Sequence, residues 1–129
     1  MHVGVFKLEV AKKAHLLTLD IYKVTNNFPK NETYGLVSQI RRSSMSIPAN
    51  LAEGYTRKSS KEFKQFINIA RGSLAETEYF ALLSRDLGYI NEEEYLTLNT
   101  KVEEVGKMLF GLFHSIDKKT NHSPLASRN

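Results

Sequence analysis

The sequence has 129 residues, the length of one domain, and contains no cysteine, which excludes disulfides, thiolate metal sites and cysteine nucleophiles. It has no apolar run of about eighteen residues and no recognisable secretory signal, so we expect a cytoplasmic protein without a membrane span. The net charge of +4 is uneven, because residues 1–58 hold nine Lys/Arg against four Asp/Glu and residues 59–129 hold nine against ten. This excess indicates an electropositive face that could meet a polyanion.

Apolar residues recur at alternating steps of three and four in four segments, which predicts four amphipathic helices. The first helix extends from Val10 to Phe28 and stops at Pro29. The second covers Val37 to Leu51 and contains Pro48, which should kink it because proline removes one internal hydrogen bond and clashes with the preceding turn.

The third and fourth helices carry clear start signals. Ser59 and Glu62 have the spacing of a capping box at the start of the third helix, and Gly88 is a predicted C-cap at its end. Asn91 is the predicted N-cap of the fourth helix, which holds its apolar rhythm from Tyr95 to Ile116.

No strand pattern competes with these helices, and the predicted loops are short. The sequence therefore predicts an all-α protein, an antiparallel up-down-up-down four-helix bundle over residues 1–118 as a single domain. Residues 119–129 have no periodicity and are predicted to be a disordered C-terminal tail.

The second helix carries polar residues at helical spacing beside its apolar seam, and we call them the polar ridge: Gln39, Arg42, Ser46, Asn50 and Glu53. Glu53 and Arg57 form an i, i+4 pair in the favourable orientation. The ridge is either a packing or interface network, with Arg42 paired to Glu76 or Glu78, or a surface that contacts nucleic acid. Its spacing favours the first interpretation.

The third helix has a second apolar stripe outside its main seam, formed by Ile69, Gly72, Ser73, Phe80, Leu83 and Leu87. A helix that is apolar on two sides must bury both. The stripe is therefore either part of a wide core face or an interface with another subunit.

Nothing in the sequence favours catalysis. The four histidines are far apart, no pair has the i, i+4 spacing of a helical metal site, and the glycines are isolated, so no phosphate-binding loop is present. We expect no catalytic residues, metal site, cofactor or small-molecule substrate.

The basic residues outside the apolar stripes are the candidates for contact with nucleic acid. They could be ordinary solvated side chains, but repetition around an oligomer would give a strongly positive surface. The candidates are Lys12, Lys13, Lys23, Lys30, Arg41, Arg57, Lys58, Lys61 and Lys64.

The motifs "QIRRSSMSIPANLAEG" (residues 39–54) and "ARGSLAETE" (residues 70–78) resemble the 23S rRNA intervening-sequence protein family, and the resemblance covers residues 6 to about 90. The chain departs from the family at Ala11, where tryptophan is common. The resemblance implies a ribosomal-protein-like four-helix bundle that assembles as a homopentamer, and a relation in fold to the accessory protein of diversity-generating retroelements. Its signature positions fall on Gln39, Arg42, Ser46, Ile47, Pro48, Asn50, Glu53, Gly54, Arg71, Gly72, Ser73 and Glu76.

The sequence thus predicts a non-enzymatic, oligomeric bundle that binds RNA or other nucleic acid through basic helix faces. The alternative, from another class of function, is a protein–protein interaction scaffold with no nucleic-acid role.

Overall fold

The computed structural model describes residues 4–118, and this part of the chain is helical without a strand. The helices are α1 (Glu9–Thr25), α2 (Leu36–Tyr55), α3 (Ser60–Asp86) and α4 (Glu92–Lys118), with short 3₁₀ turns at Gly4–Lys7 and Lys30–Glu32. The all-α prediction is therefore confirmed. The predicted tail, residues 119–129, lies outside the described residues.

The four helices form a bundle in which α1 and α3 each pack against α2 and α4. Side-chain contacts show that neighbours run in opposite directions: Thr18 meets Ser44 on α2, whereas Thr25, farther along α1, meets Arg41. The other neighbouring helices show the same reversal. Helices α2 and α3 meet through Ser43–Thr77 and Ser46–Ser73, and α3 and α4 meet through Arg71–Phe110 and Arg85–Tyr95. Helices α1 and α4 meet through Lys13–Glu104 and Asp20–Lys101. One end of the bundle therefore holds the α2–α3 turn, and the opposite end holds the α1–α2 and α3–α4 loops.

Most of the residues that the periodicity marks lie in the core, which also includes Ile67 of α3. Leu17, Ile47, Phe63 and Leu109 are fully enclosed, one from each helix. Burying each such side chain contributes about 1.5–3 kcal/mol, which is the main force that joins the helices. Within residues 4–118 no helix is long and apolar enough to cross a membrane.

The predicted starts of α3 and α4 and the predicted end of α3 are confirmed by hydrogen bonds, whereas α1 ends at Thr25, before the predicted Phe28. The Glu62 backbone N–H donates to Ser59 Oγ at 3.1 Å, and the Glu94 N–H donates to Asn91 Oδ1 at 2.7 Å. Gly88 has a φ of +80°, and the following Tyr89 N–H bonds the Ser84 carbonyl at 2.9 Å. This left-handed glycine and its backbone bonds form a Schellman motif that ends α3.

Helix α2 continues through Pro48 as one element, and the kink at this residue stays a prediction. Proline leaves the Ser44 carbonyl without its usual N–H donor. Thr18 Oγ1 on α1 lies 3.0 Å from that carbonyl oxygen and 3.1 Å from the Ala14 carbonyl of its own helix, so its single proton is shared between the two in a buried contact. A neighbouring helix thus partly satisfies the group that the proline exposes.

At Gly54 the backbone of α2 lies directly against Phe63 and Phe66 of α3. A Cβ added there would sit 2.7 Å from Phe66 Cβ and 2.9 Å from Phe63 Cδ1, well inside van der Waals contact. The glycine near the end of α2 is therefore a packing requirement and not a break in the helix.

Candidate nucleic-acid interface

Charged residues are distributed unevenly along the axis of the bundle. The half that holds the α2–α3 turn, residues 4–17, 46–73 and 105–118, contains ten Lys/Arg and four Asp/Glu. The other half, residues 18–45 and 74–104, contains six Lys/Arg and ten Asp/Glu. We call the first the basic end and the second the acidic end. The molecule is thus strongly polarised although its net charge is modest.

Six of the nine predicted nucleic-acid contacts lie at the basic end: Lys12, Lys13, Arg57, Lys58, Lys61 and Lys64. Lys58 and Lys61 are exposed around the α2–α3 turn. Lys12 and Lys13 are partly offset by Glu9 and Glu104, at 3.3 and 3.6 Å. Exposed pairs of this kind contribute little and leave both side chains accessible to a stronger anion.

The remaining three predicted contacts, Lys23, Lys30 and Arg41, lie toward the acidic end. Lys23 lines a cleft of about 330 Å³ between α1 and α4 together with acidic residues, among them Glu93 and Glu94. Arg41 is held within the chain, because its Nε donates to Thr25 Oγ1 at 2.8 Å and its guanidinium lies over the Tyr22 ring. The fold therefore does not bring these three to the basic surface.

The polar ridge borders a groove between α2 and α3. Asn50 donates to Ser46 Oγ at 2.9 Å, and Ser73 on α3 donates to the same Ser46 oxygen at 3.0 Å. Toward the acidic end the groove opens into a cleft of about 190 Å³ whose lining consists of Gln39, Arg42, Ser43, Ser46, Glu76 and Phe80. Part of the ridge is thus an α2–α3 packing network, and part of it faces solvent.

Glu53 and Arg42, the two charged residues of the polar ridge, differ in whether they have a partner in the chain. Glu53 accepts from Arg57 at 2.7 Å, which confirms the predicted i, i+4 pair. Arg42 is exposed and makes no hydrogen bond or ion pair with any residue between 4 and 118, so the suggested pairing with Glu76 or Glu78 is not formed within one chain. Arg42 and Glu76 instead border the same cleft.

The second apolar stripe of α3 divides into two parts. Ser73 is buried against α2, and Phe80 and Leu83 are partly buried against the core, as a wide core face requires. Ile69 and Leu87 remain 51% and 49% exposed, and Gly72 has open space around it. Only the exposed part is available to another molecule.

Sequence reasoning missed an aromatic cluster at the basic end. Phe110, Phe113 and His114 of α4 lie beside Lys64 and Arg71 of α3. The spacing of Phe110, Phe113 and His114 along α4 was visible in the sequence, but Lys64 and Arg71 of α3 join them only when α3 and α4 pack together.

In the described part of the chain, no group of three or more His, Asp or Glu side chains could hold a metal ion.

The structure thus presents an all-α bundle with a basic end and a polar groove. The chain belongs to the 23S rRNA-intervening sequence protein family, whose model matches residues 6–111.

A solved structure supports this assignment. The chain is 31% identical to a protein of unknown function from the S23 ribosomal protein family of Bacteroides thetaiotaomicron VPI-5482, with a TM-score of 0.73. The match covers 81% of this chain and 97% of the other. A search of curated proteins found no significant match.

Proposed function

We propose that this protein is a non-enzymatic, cytoplasmic RNA-binding bundle that contacts structured RNA, such as 23S rRNA, through its basic end. The observation that carries the proposal is the accumulation of ten Lys/Arg against four Asp/Glu at one end of the bundle. The family, associated by name with 23S rRNA, supports RNA as the polyanion.

The geometry of the basic end suits a phosphate backbone. Lys58 and Lys61 project beside the α2–α3 turn, and Lys12 and Lys13 lie on the adjacent start of α1. Each lysine that neutralises a phosphate releases counterions, so affinity should fall steeply with salt. Contacts of this type position RNA without reading its sequence.

Binding to a 23S rRNA fragment, measured over a range of salt concentrations, tests the proposal. Lys58→Ala combined with Lys61→Ala should lower the slope of log K against log[salt] by about two, near one for each lost phosphate contact. The matched control is Lys23→Ala combined with Lys30→Ala, which removes two exposed lysines near the acidic end and should leave the slope unchanged. Undetectable binding at low salt, or binding independent of salt, refutes the RNA-binding function.

Self-association is the second part of the proposal, and the family resemblance suggests a homopentamer. Ile69 and Leu87 are about half exposed, and Arg42 and Glu76 border a cleft without forming a pair with each other. A second copy that covers this α2–α3 face would bury the two apolar residues and could pair both charges. If the protein is instead a scaffold with no nucleic-acid role, assembly through this face will persist while RNA binding is absent.

Light scattering distinguishes these states. The expected result is a mass of several chains for the wild type and a lower mass for Ile69→Lys. The control is Tyr79→Lys, which places the same charge at an exposed position of α3. A monomeric wild type rules out self-association.

A further inference from the structure

Two phenylalanine rings of α4 lie among cations at the basic end. Phe110 is 54% exposed, and its ring centroid lies 4.2 Å from that of His114. Lys64 Nζ lies 4.5 Å from the centre of the Phe113 ring, and Arg71 Cζ lies 5.7 and 5.9 Å from the two phenylalanine rings. The cluster spans α3 and α4 and leaves the Phe110 ring open to solvent.

The charges around these rings are mostly positive. Residues 60–75 of α3 and 105–118 of α4 carry five Lys/Arg and two acids, Glu62 and Asp117. The Glu62 carboxylate lies in the first turn of α3, where it accepts from the Ser59 hydroxyl at 3.3 Å. Phe110 therefore combines an exposed aromatic face with a surrounding surface that attracts phosphate.

We propose that Phe110, supported by His114 and Phe113, is a stacking site for an unpaired base of RNA, while Lys64 and Arg71 contact the neighbouring phosphates. The inference rests on the proposed RNA-binding function and names its substrate class. In a duplex the faces of the bases are covered by their neighbours, whereas loops, bulges and single strands can place a base on an aromatic side chain. A positive surface combined with aromatic rings is the usual arrangement in proteins that bind single strands.

The cations favour RNA over a protein partner at this site. A cation can contact an aromatic ring and a phosphate together, because the ring binds one face of the cation and leaves other N–H groups free to donate. Arg71 also lies 3.4 Å from Asn68 Oδ1, a weak contact that leaves most of its guanidinium donors available. An apolar protein surface would offer these cations no anion, whereas RNA supplies phosphates.

The test compares a short single-stranded RNA that contains 2-aminopurine with a fully paired RNA of the same length. Wild type should quench the 2-aminopurine fluorescence, as stacking does. Phe110→Ala should weaken single-strand binding about fivefold to a hundredfold at fixed salt. Duplex binding and the salt slope should not change, because no charge is removed.

Three further variants separate stacking from packing. Phe110→Tyr keeps the aromatic face and should retain binding, whereas Phe110→Leu keeps an apolar side chain and should lose it. Leu96→Ala, at an equally exposed position of the same helix near the acidic end, should have no effect.

The outcomes distinguish this inference from the proposed function. If wild type binds RNA with a steep salt dependence but Phe110→Leu binds as wild type does, the stacking site is wrong and the basic-end function stands. An equal loss for single-stranded and paired RNA, or a change in assembly mass without a change in RNA binding, also overturns the stacking site. If wild type binds neither RNA, both proposals fail.

Discussion

Thr18 lies opposite the turn of α2 that Pro48 interrupts, and its hydroxyl is shared between the Ser44 carbonyl at 3.0 Å and the Ala14 carbonyl at 3.1 Å. Thr18→Val keeps the shape of the side chain but removes this donor, so a buried carbonyl loses its partner. The expected loss in the free energy of unfolding is about 1–3 kcal/mol, measured by urea denaturation. Thr18→Ser, which keeps the hydroxyl, should lose less.

A double-mutant cycle with Pro48→Ala tests the cause of this loss. Alanine restores the backbone N–H that bonds Ser44, so Thr18→Val should cost less in that background, with a coupling of at least about 0.5 kcal/mol. An equal cost of Thr18→Val in both backgrounds would show that the hydroxyl does not compensate for the proline.

The hydrogen bond between Tyr89 and Glu32, at the acidic end, predicts that the free energy of unfolding depends on pH. The Tyr89 hydroxyl donates to Glu32 Oε2 at 2.8 Å, and this hydrogen bond to the carboxylate raises the pKa of Tyr89 above the ordinary value of about 10. Because the folded-state pKa is raised, the contact stabilises the fold below about pH 10 and is lost as pH rises through the folded-state value.

Spectrophotometric titration of the tyrosines checks this expectation. Tyr89→Phe should remove a step on the alkaline side of the ordinary tyrosine range and should also reduce the loss of stability at high pH. Tyr34→Phe removes a tyrosine that is 95% exposed and should leave that step in place. A titration curve of Tyr89→Phe that lacks only an ordinary tyrosine step would contradict the assignment.

Between elements, the contact of α2 with α3 depends on Gly54. In Gly54→Ala the new Cβ would overlap Phe66 Cβ, an atom fixed to the backbone, so one helix must shift. We expect a loss of about 1–3 kcal/mol from overpacking. Gly72→Ala, where nothing lies within 4 Å, should instead stabilise the helix by about 0.5–1 kcal/mol in the same urea assay. Equal effects of the two substitutions would show that α2 and α3 are not closely packed at Gly54.

The helices were predictable because their signals are local. The apolar rhythm and the caps at Ser59, Gly88 and Asn91 involve neighbours in the sequence, and all of them appear in the structure. The compensation of Pro48 by Thr18 was not predictable, because it joins residues that are distant in the chain. The hydrogen bonds of Ser43 and Ser46 to hydroxyls of α3 were not predictable for the same reason.

For the molecule as a whole, the sequence placed the basic excess in the first half of the chain, while the structure places it at one end of the bundle. An antiparallel bundle brings the start of α1, the α2–α3 turn and the end of α4 together, so Lys107 of the second half joins the basic end and Lys23 of the first half does not. Charge counted along a chain cannot show this. Six of the nine predicted contacts therefore lie at one end of the bundle, and Lys64 and Arg71 join the cluster around Phe110 only in the packed helices.

The Arg42→Ala variant tests whether a second copy of the chain supplies the partner of Arg42 in the assembly. Arg42 is exposed and has no hydrogen bond or ion pair with the described residues of its own chain, so Arg42→Ala should change the unfolding free energy of the single chain by no more than about 0.5 kcal/mol. If a second copy provides its partner, the same variant should lower the assembly mass in light scattering, because the partner's charge would be left buried and unpaired. Lys23→Ala, which also removes an exposed cation, is the control and should assemble normally. A large loss of single-chain stability would make Arg42 a packing residue, and intact assembly with lost RNA binding would make the α2–α3 cleft part of the RNA site.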